Sequence, residues 1–243
     1  MIPWIIVFIS AAVYLIGWST VPQLVLNYCS YEKVVACEQA GAFVKATPVL
    51  MLALIAAFIK QRGNRREVAA GQLIGLGLAL SAVGDVALDL DDLQLVSDRY
   101  FLIGLSFFLL AHLSYAVSFL QYEATHSASV AAAVACLPIF SLLLLWNGIS
   151  ATLKIPVAVY SCVIAGMTYT AIVARVPAKS RLLLLSGAVL FVVSDSLLAG
   201  DRFGPPVLRL PQAKLFVMLT YYSAQTLLAA GSVVTTKDDA RIS

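Results

Sequence analysis

The chain breaks into about eight continuous apolar runs, each close to 20 residues long and separated from the next by a short polar joint. A run of that length is what crosses ~30 Å of hydrocarbon as an α-helix rising ~1.5 Å per residue. The runs fall approximately at residues 3–20, 40–59, 68–88, 100–121, 127–146, 155–173, 182–200 and 213–234. Hydrophobic residues make up 61% of the chain and charged residues only 12%, with a mean hydropathy of +0.92, so no water-soluble surface can be assembled from it. A membrane β-barrel is disfavoured, because its strands alternate polar and apolar residues over about 10 positions whereas these runs are unbroken. Helices also satisfy their own backbone groups in lipid. The expected fold is all-α, a polytopic transmembrane bundle of about eight helices in one integral-membrane domain over residues 1–243, with a short polar tail from about residue 235. The first run lacks a basic leader and a small-residue cleavage site, so it reads as a retained helix.

Charge placement sets the expected orientation. The second-to-third joint carries Lys60, Arg62, Arg65 and Arg66, the sixth-to-seventh carries Arg175, Lys179 and Arg181, and the tail carries Lys237 and Arg241. The opposite joints hold Lys33, Arg99, Lys154, Arg202 and Arg209, alongside the acidic group Asp89, Asp91, Asp92 and Asp98. Nine basic residues against five predict both termini in the cytoplasm. The net charge of +3 is small and dispersed, which excludes a nucleic-acid surface. The loop-poor, alanine-rich build points to a bacterial inner membrane. Cys29, Cys37, Cys136 and Cys162 show no CxxC spacing and no histidine neighbours, so no chemistry is assigned to them.

Against this background the deep polar residues stand out. Asp85 and Asp195 lie inside apolar runs, where a carboxylate costs ~3 kcal/mol even on the lenient insertion scale and normally marks a proton, ion or substrate site. Ser81, Asp85 and Asp89 recur every four residues and share one face of the third helix, with Gly84 opening the backbone to close approach. Asp89 is also the first of the acidic group and reads as part of that solvated joint. Gly71 and Gly75 permit tight helix packing and form no phosphate loop. On the fourth helix Phe108, His112 and Tyr115 share a face, and His112 reads equally as a packed hydrogen-bond partner or a catalyst. His112 and His126 are the only histidines, too few for a multi-histidine zinc centre, so no metal or other cofactor is assigned. The eighth helix presents Lys214, Met218, Tyr221, Tyr222 and Gln225 as one polar and aromatic strip suited to lining a cavity. Lys45 precedes Pro48 in the second helix and can meet a carboxylate or a phosphate. With both termini inside, all of these groups fall in the outer half of the membrane or near its middle, as a shared pocket requires.

Taken in order, Lys45 and Pro48, Gly84-Asp85, Phe101, Gly104, Phe108, Ala111-His112, Tyr115, Ser194-Asp195, Tyr221-Tyr222 and Gln225 form a pattern. It resembles the YhhN-type lysoplasmalogenase family of multispanning membrane proteins, over about residues 45–225, with two residues inserted in the family's Lys-Pro element. The resemblance implies hydrolysis of the vinyl ether bond of lysoplasmalogens, giving a fatty aldehyde and glycerophosphocholine or glycerophosphoethanolamine. It makes the implied partners a lysophospholipid (lysoplasmenylcholine or lysoplasmenylethanolamine), water and membrane lipid. Such chemistry suits two carboxyl groups: an acid protonates the distal alkene carbon, and water captures the resulting oxocarbenium ion, much as in glycosidases. Asp195, deeper in its helix, is expected to be the acid and Asp85, nearer water, the base. His112, Tyr222 and Gln225 are expected to orient water or the glycerol hydroxyl, and Lys45 or Lys214 to meet the phosphate.

Two other readings use the same aspartates. A proton-coupled transporter of a small molecule or lipid would relay protons through helices three and seven, although the two halves show no convincing repeat. An intramembrane aspartyl protease would need a Gly-x-Gly-Asp signature, and Ala82 stands where its first glycine belongs.

Overall fold

The computed structural model describes residues 4–5, 7–15, 31–59, 64–92 and 98–239. A first helix, α1, is seen over 4–5 and 7–15. It is followed by α2 (Tyr31–Ile59), α3 (Arg65–Asp92), α4 (Arg99–Phe119), α5 (Ala128–Leu145), α6 (Lys154–Val173), α7 (Ala178–Phe203) and α8 (Ala213–Asp239), with a 3₁₀ turn at Pro206–Leu208. Among the described residues seven of these helices are long and apolar enough to cross a membrane. The chain is therefore an all-helical, multi-pass membrane protein.

Several helices outrun their apolar spans, and the local chemistry shows why. α3 begins at Arg65 because Asn64 caps it: the Asn64 side-chain oxygen accepts from the Glu67 amide at 3.0 Å, and its amide donates back to the Glu67 carboxylate at 2.6 Å. One otherwise unpaired backbone amide of the first turn is thereby satisfied, and the two side chains hold each other in place. At its other end α3 continues to Asp92, so Asp89 is a helical residue and not part of a solvated joint. α5 starts after Ser127, whose hydroxyl accepts from the Val130 amide at 3.4 Å. Pro48 and Pro138 are carried within α2 and α5 without ending either helix.

Small residues bring the helices together, as expected where lipid provides no hydrophobic drive for helix association. Gly84 of α3 and Gly104 of α4 face each other: a Cβ on either would lie 3.2 Å from the other's carbonyl oxygen. Gly75 lies as closely against Ala53 and Ala57 of α2. The main core includes Leu52, Ile74, Leu78, Phe119, Met167, Phe191 and Leu228, all at most 1% exposed. A second cluster, Phe101, Leu145, Ile149, Leu153, Val157 and Phe203, sits where α4 and α6 begin and α5 and α7 end. Asp98 closes that end of the bundle by accepting from the hydroxyls of Ser150 at 3.1 Å and Thr152 at 3.2 Å. At the opposite end the α4–α5 and α6–α7 joints pair through Ala124 and Ala174, with the Arg175 amide donating to the Glu123 carbonyl at 2.7 Å.

Candidate active site

The polar stripe of α3 finds a different partner at each of three successive turns. Ser81 lies 3.4 Å from the Tyr115 hydroxyl of α4. The Tyr221 hydroxyl of α8 donates to the Asp85 carboxylate at 2.6 Å. Lys45 of α2 pairs with Asp89 at 2.6 Å. The helical period places the three side chains on one face, and burial of that face makes each of them take a partner. Asp85 is 2% exposed and Lys45 8%.

Asp195 has a matching arrangement on the other side. Its carboxylate accepts a hydrogen bond from the hydroxyl of Tyr160 on α6. The neighbouring Ser194 donates to the Val217 carbonyl of α8 at 3.0 Å, tying α7 to α8. Each aspartate is thus held by one phenol from another helix.

Both aspartates line a cavity of about 750 Å³, together with Lys45, Asp89, Tyr160 and Tyr221. Its remaining wall is largely apolar, from Phe108 of α4, Leu137 and Leu142 of α5, Ile164 of α6 and Met218 of α8. Asp201, Arg202 and Lys214 line it near the end where α7 finishes and α8 begins. Asp195 is eight residues before the end of α7 and Tyr221 eight residues after the start of α8, so both lie ~12 Å below that mouth. The two carboxylates differ in enclosure. Asp85 is buried while Asp195 is half-buried, open to the cavity, the reverse of the order expected from their positions along the helices. Asp85 is held inside the bundle against Tyr221 of α8, whereas Asp195 lies on α7, which meets α5 only sparingly.

His112, Tyr115, Tyr222 and Gln225 do not line the cavity and form the layer behind it. The Tyr115 hydroxyl donates to the Gln225 side-chain oxygen at 2.8 Å, and the Tyr222 hydroxyl donates to the Lys45 backbone carbonyl at 2.9 Å. His112 is fully buried; its Nδ1 lies 2.6 Å from the Phe108 carbonyl and its Nε2 has no hydrogen-bond partner. Its ring packs edge-on against Phe191 at 4.4 Å and Tyr160 at 5.4 Å. Phe191 and Tyr160 therefore stand between His112 and the aspartates' chamber. Lys214 is exposed at the mouth, as its place at the start of α8 requires. Cys136 and Cys162 are exposed free thiols, and Cys29 falls outside the described residues. Among the described residues no group of three or more His, Cys, Asp or Glu side chains is arranged to hold a metal ion.

Tyr160 was not singled out in the sequence, nor was the pairing of Asp89 with Lys45. A tyrosine six residues into an apolar helix is the available signal for Tyr160, since a buried phenol needs a partner. Arg202 is a third addition: its guanidinium stacks over the Phe101 ring at 3.9 Å and lies 3.7 Å from Asp98.

Comparison with known proteins identifies relatives over most of the chain. Lysoplasmalogenase TMEM86B of Sus scrofa is 34% identical over 189 residues, which is 78% of this chain and 74% of the relative. The Homo sapiens protein of the same name is 30% identical over 193 residues, covering 79% and 75%. A lysoplasmalogenase of Mycobacterium tuberculosis is 34% identical over 139 residues, covering 54% and 50%. No solved structure matches the chain. The family model described as YhhN matches residues 40–232, a stretch that holds both aspartates and their tyrosines, and the chain belongs to the YhhN family.

Proposed function

We propose that this protein hydrolyses the vinyl ether bond of lysoplasmalogens in the membrane, with Asp195 as general acid and Asp85 as general base. The relatives named lysoplasmalogenase support the reaction class. The observation that carries the mechanism is the cavity itself, in which two carboxyl groups, each steadied by a tyrosine, share one mostly apolar chamber.

In the proposed sequence Asp195 gives its proton to the distal alkene carbon, and the oxocarbenium ion forms on the carbon bonded to oxygen. Asp85 takes a proton from water as that water adds to the cation. The hemiacetal then collapses to a fatty aldehyde and the glycerol alcohol, and the proton taken by Asp85 balances the one spent by Asp195. Asp85 is assigned as the base because it lies one helical turn from the Lys45–Asp89 pair, whose cation favours a carboxylate nearby. Asp195 faces apolar wall and a phenol, which suits a neutral acid. Arg202 and Lys214 at the mouth suit the phosphate of a choline or ethanolamine lysolipid. The excess of basic residues at the opposite end supports cytoplasmic termini and a mouth on the outer face, and the loop-poor build supports a bacterial inner membrane. A proton-coupled transporter needs access from both sides, whereas the lining residues come from one half of the bundle.

Purified protein given lysoplasmenylcholine and its saturated alkyl-ether analogue tests the reading. Aldehyde should appear from the vinyl ether alone, and Asp85→Asn and Asp195→Asn should each lower its release by about 10²–10⁴-fold, the range of general acid–base catalysis. Full activity in either variant removes that aspartate from the mechanism.

A further inference from the structure

A lysolipid whose vinyl ether lies between Asp85 and Asp195 still has its whole fatty chain to place, and the depth of the cavity decides where it goes. The lining reaches Val192 on α7, three residues below Asp195, and Ala165 on α6, five residues below Tyr160. Only ~5–8 Å of cavity therefore lies beneath the aspartates. A chain that spans one leaflet needs about 15 Å, half the hydrocarbon thickness. The mouth is no alternative, because Asp201, Arg202 and Lys214 make it polar. The chain has to leave sideways.

One side of the chamber is built for that. α5 packs along α6 and meets α7 only sparingly. Even so, α7 lines the cavity without a break from 192 to 203, and α5 does so at most positions from 137 to 145. A helix facing an enclosed cavity contributes every third or fourth residue; consecutive lining residues mean that the cavity runs around the flank of the helix towards lipid. Phe140 and Leu144 on α5 and Val193 on α7 line it while remaining 69%, 48% and 40% exposed, more than a closed wall allows. Ser141 on α5 and Ser196 on α7 also line it, and each turns its hydroxyl back to a carbonyl of its own helix, Leu137 and Val192 respectively, at 2.7 Å. Back-bonding of this kind satisfies the hydroxyl and leaves a small, hydrocarbon-compatible edge.

We infer that the slot between α5 and α7 seats the fatty chain of the substrate, so that the lysolipid enters from the bilayer and the aldehyde returns to it without crossing water. This rests on the lysoplasmalogen reading above. The full chain in proteoliposomes, assayed with a long-chain alkenyl lysophosphocholine and a four-carbon alkenyl analogue, tests it through Ser141→Trp and Val193→Trp, which narrow the slot from its two edges. The ratio of kcat/KM for the long over the short substrate should fall about tenfold in each, the loss from excluding roughly two methylene groups. An unchanged ratio overturns the slot. If one variant does not fold, as judged by size-exclusion chromatography, the other decides alone. Wild-type protein that releases aldehyde from neither substrate fails the reaction and the slot together, whereas active wild type with unshifted variants fails the slot only.

Discussion

Tyr221 donates its hydroxyl proton to Asp85 at 2.6 Å and so joins α8 to α3 across 136 positions of sequence. Asp195 receives the same kind of bond from Tyr160. Two phenols from two helices fix the two carboxyl groups on which the proposed reaction depends.

Tyr221→Phe removes that bond while keeping the ring that packs against Phe108 and Phe191. A hydrogen bond to a charged group is worth about 1.5–3 kcal/mol, so kcat should fall by about 10- to 100-fold. KM should change little, because the phenol orients a reacting group and does not hold the lipid. Steady-state kinetics in detergent separate the two, and an unaltered kcat would show that Asp85 needs no such tether.

The Lys45–Asp89 pair is buried between α2 and α3, with side chains 10% and 13% exposed. Lys45→Met strands a carboxylate and should lower stability by about 3–5 kcal/mol. Lys45→Met combined with Asp89→Leu should recover most of that loss. Thermal unfolding of the two singles and the double gives the coupling energy, and additive effects would mean that the pair is not coupled.

Gly84→Ala places a methyl group 2.8 Å from the Phe108 ring and 3.2 Å from the Gly104 carbonyl. Overpacking of this kind costs about 1–3 kcal/mol. Because Phe108 lines the cavity, activity should fall along with the unfolding temperature. A variant as stable as the parent would show that α3 and α4 separate easily at this crossing.

Lys214→Gln tests the polar mouth. An exposed cation meeting a phosphate contributes about 0.2–1 kcal/mol, so KM should rise by up to about fivefold with kcat preserved. The difference from the parent should shrink in high salt. Equal KM values at low ionic strength would place the phosphate elsewhere.

Much of the fold was legible because hydrophobic length is a one-dimensional property. About eight apolar runs are readable directly, seven of which are, among the described residues, helices long and apolar enough to cross a membrane, and the i, i+4 spacing of Ser81, Asp85 and Asp89 already places them on one face. Helix ends are less legible: the Asn64 cap lengthens α3 at its start, and the acidic run after Leu88 suggests a solvated Asp89 although that residue lies inside the helix against Lys45. Helical spacing presents the strip on α8 as one unit, yet the structure divides it. Tyr221 and Met218 face the cavity, while Tyr222 and Gln225 turn to Lys45 and Tyr115. A helical face is broad enough to serve two neighbours, and only their packing decides which side chain meets which.

Sequence by itself determined the membrane, the helices and the two costly carboxyl groups, because each of these follows from transfer energies along a single chain. Tertiary structure decided which partners those groups have. Tyr160 and Asp195 are 35 residues apart and Tyr221 and Asp85 are 136 apart, separations that no local period encodes. It also decided that Asp85 is the more enclosed of the pair and that α5 meets α7 only sparingly, because enclosure depends on how closely helices from distant parts of the chain approach in space.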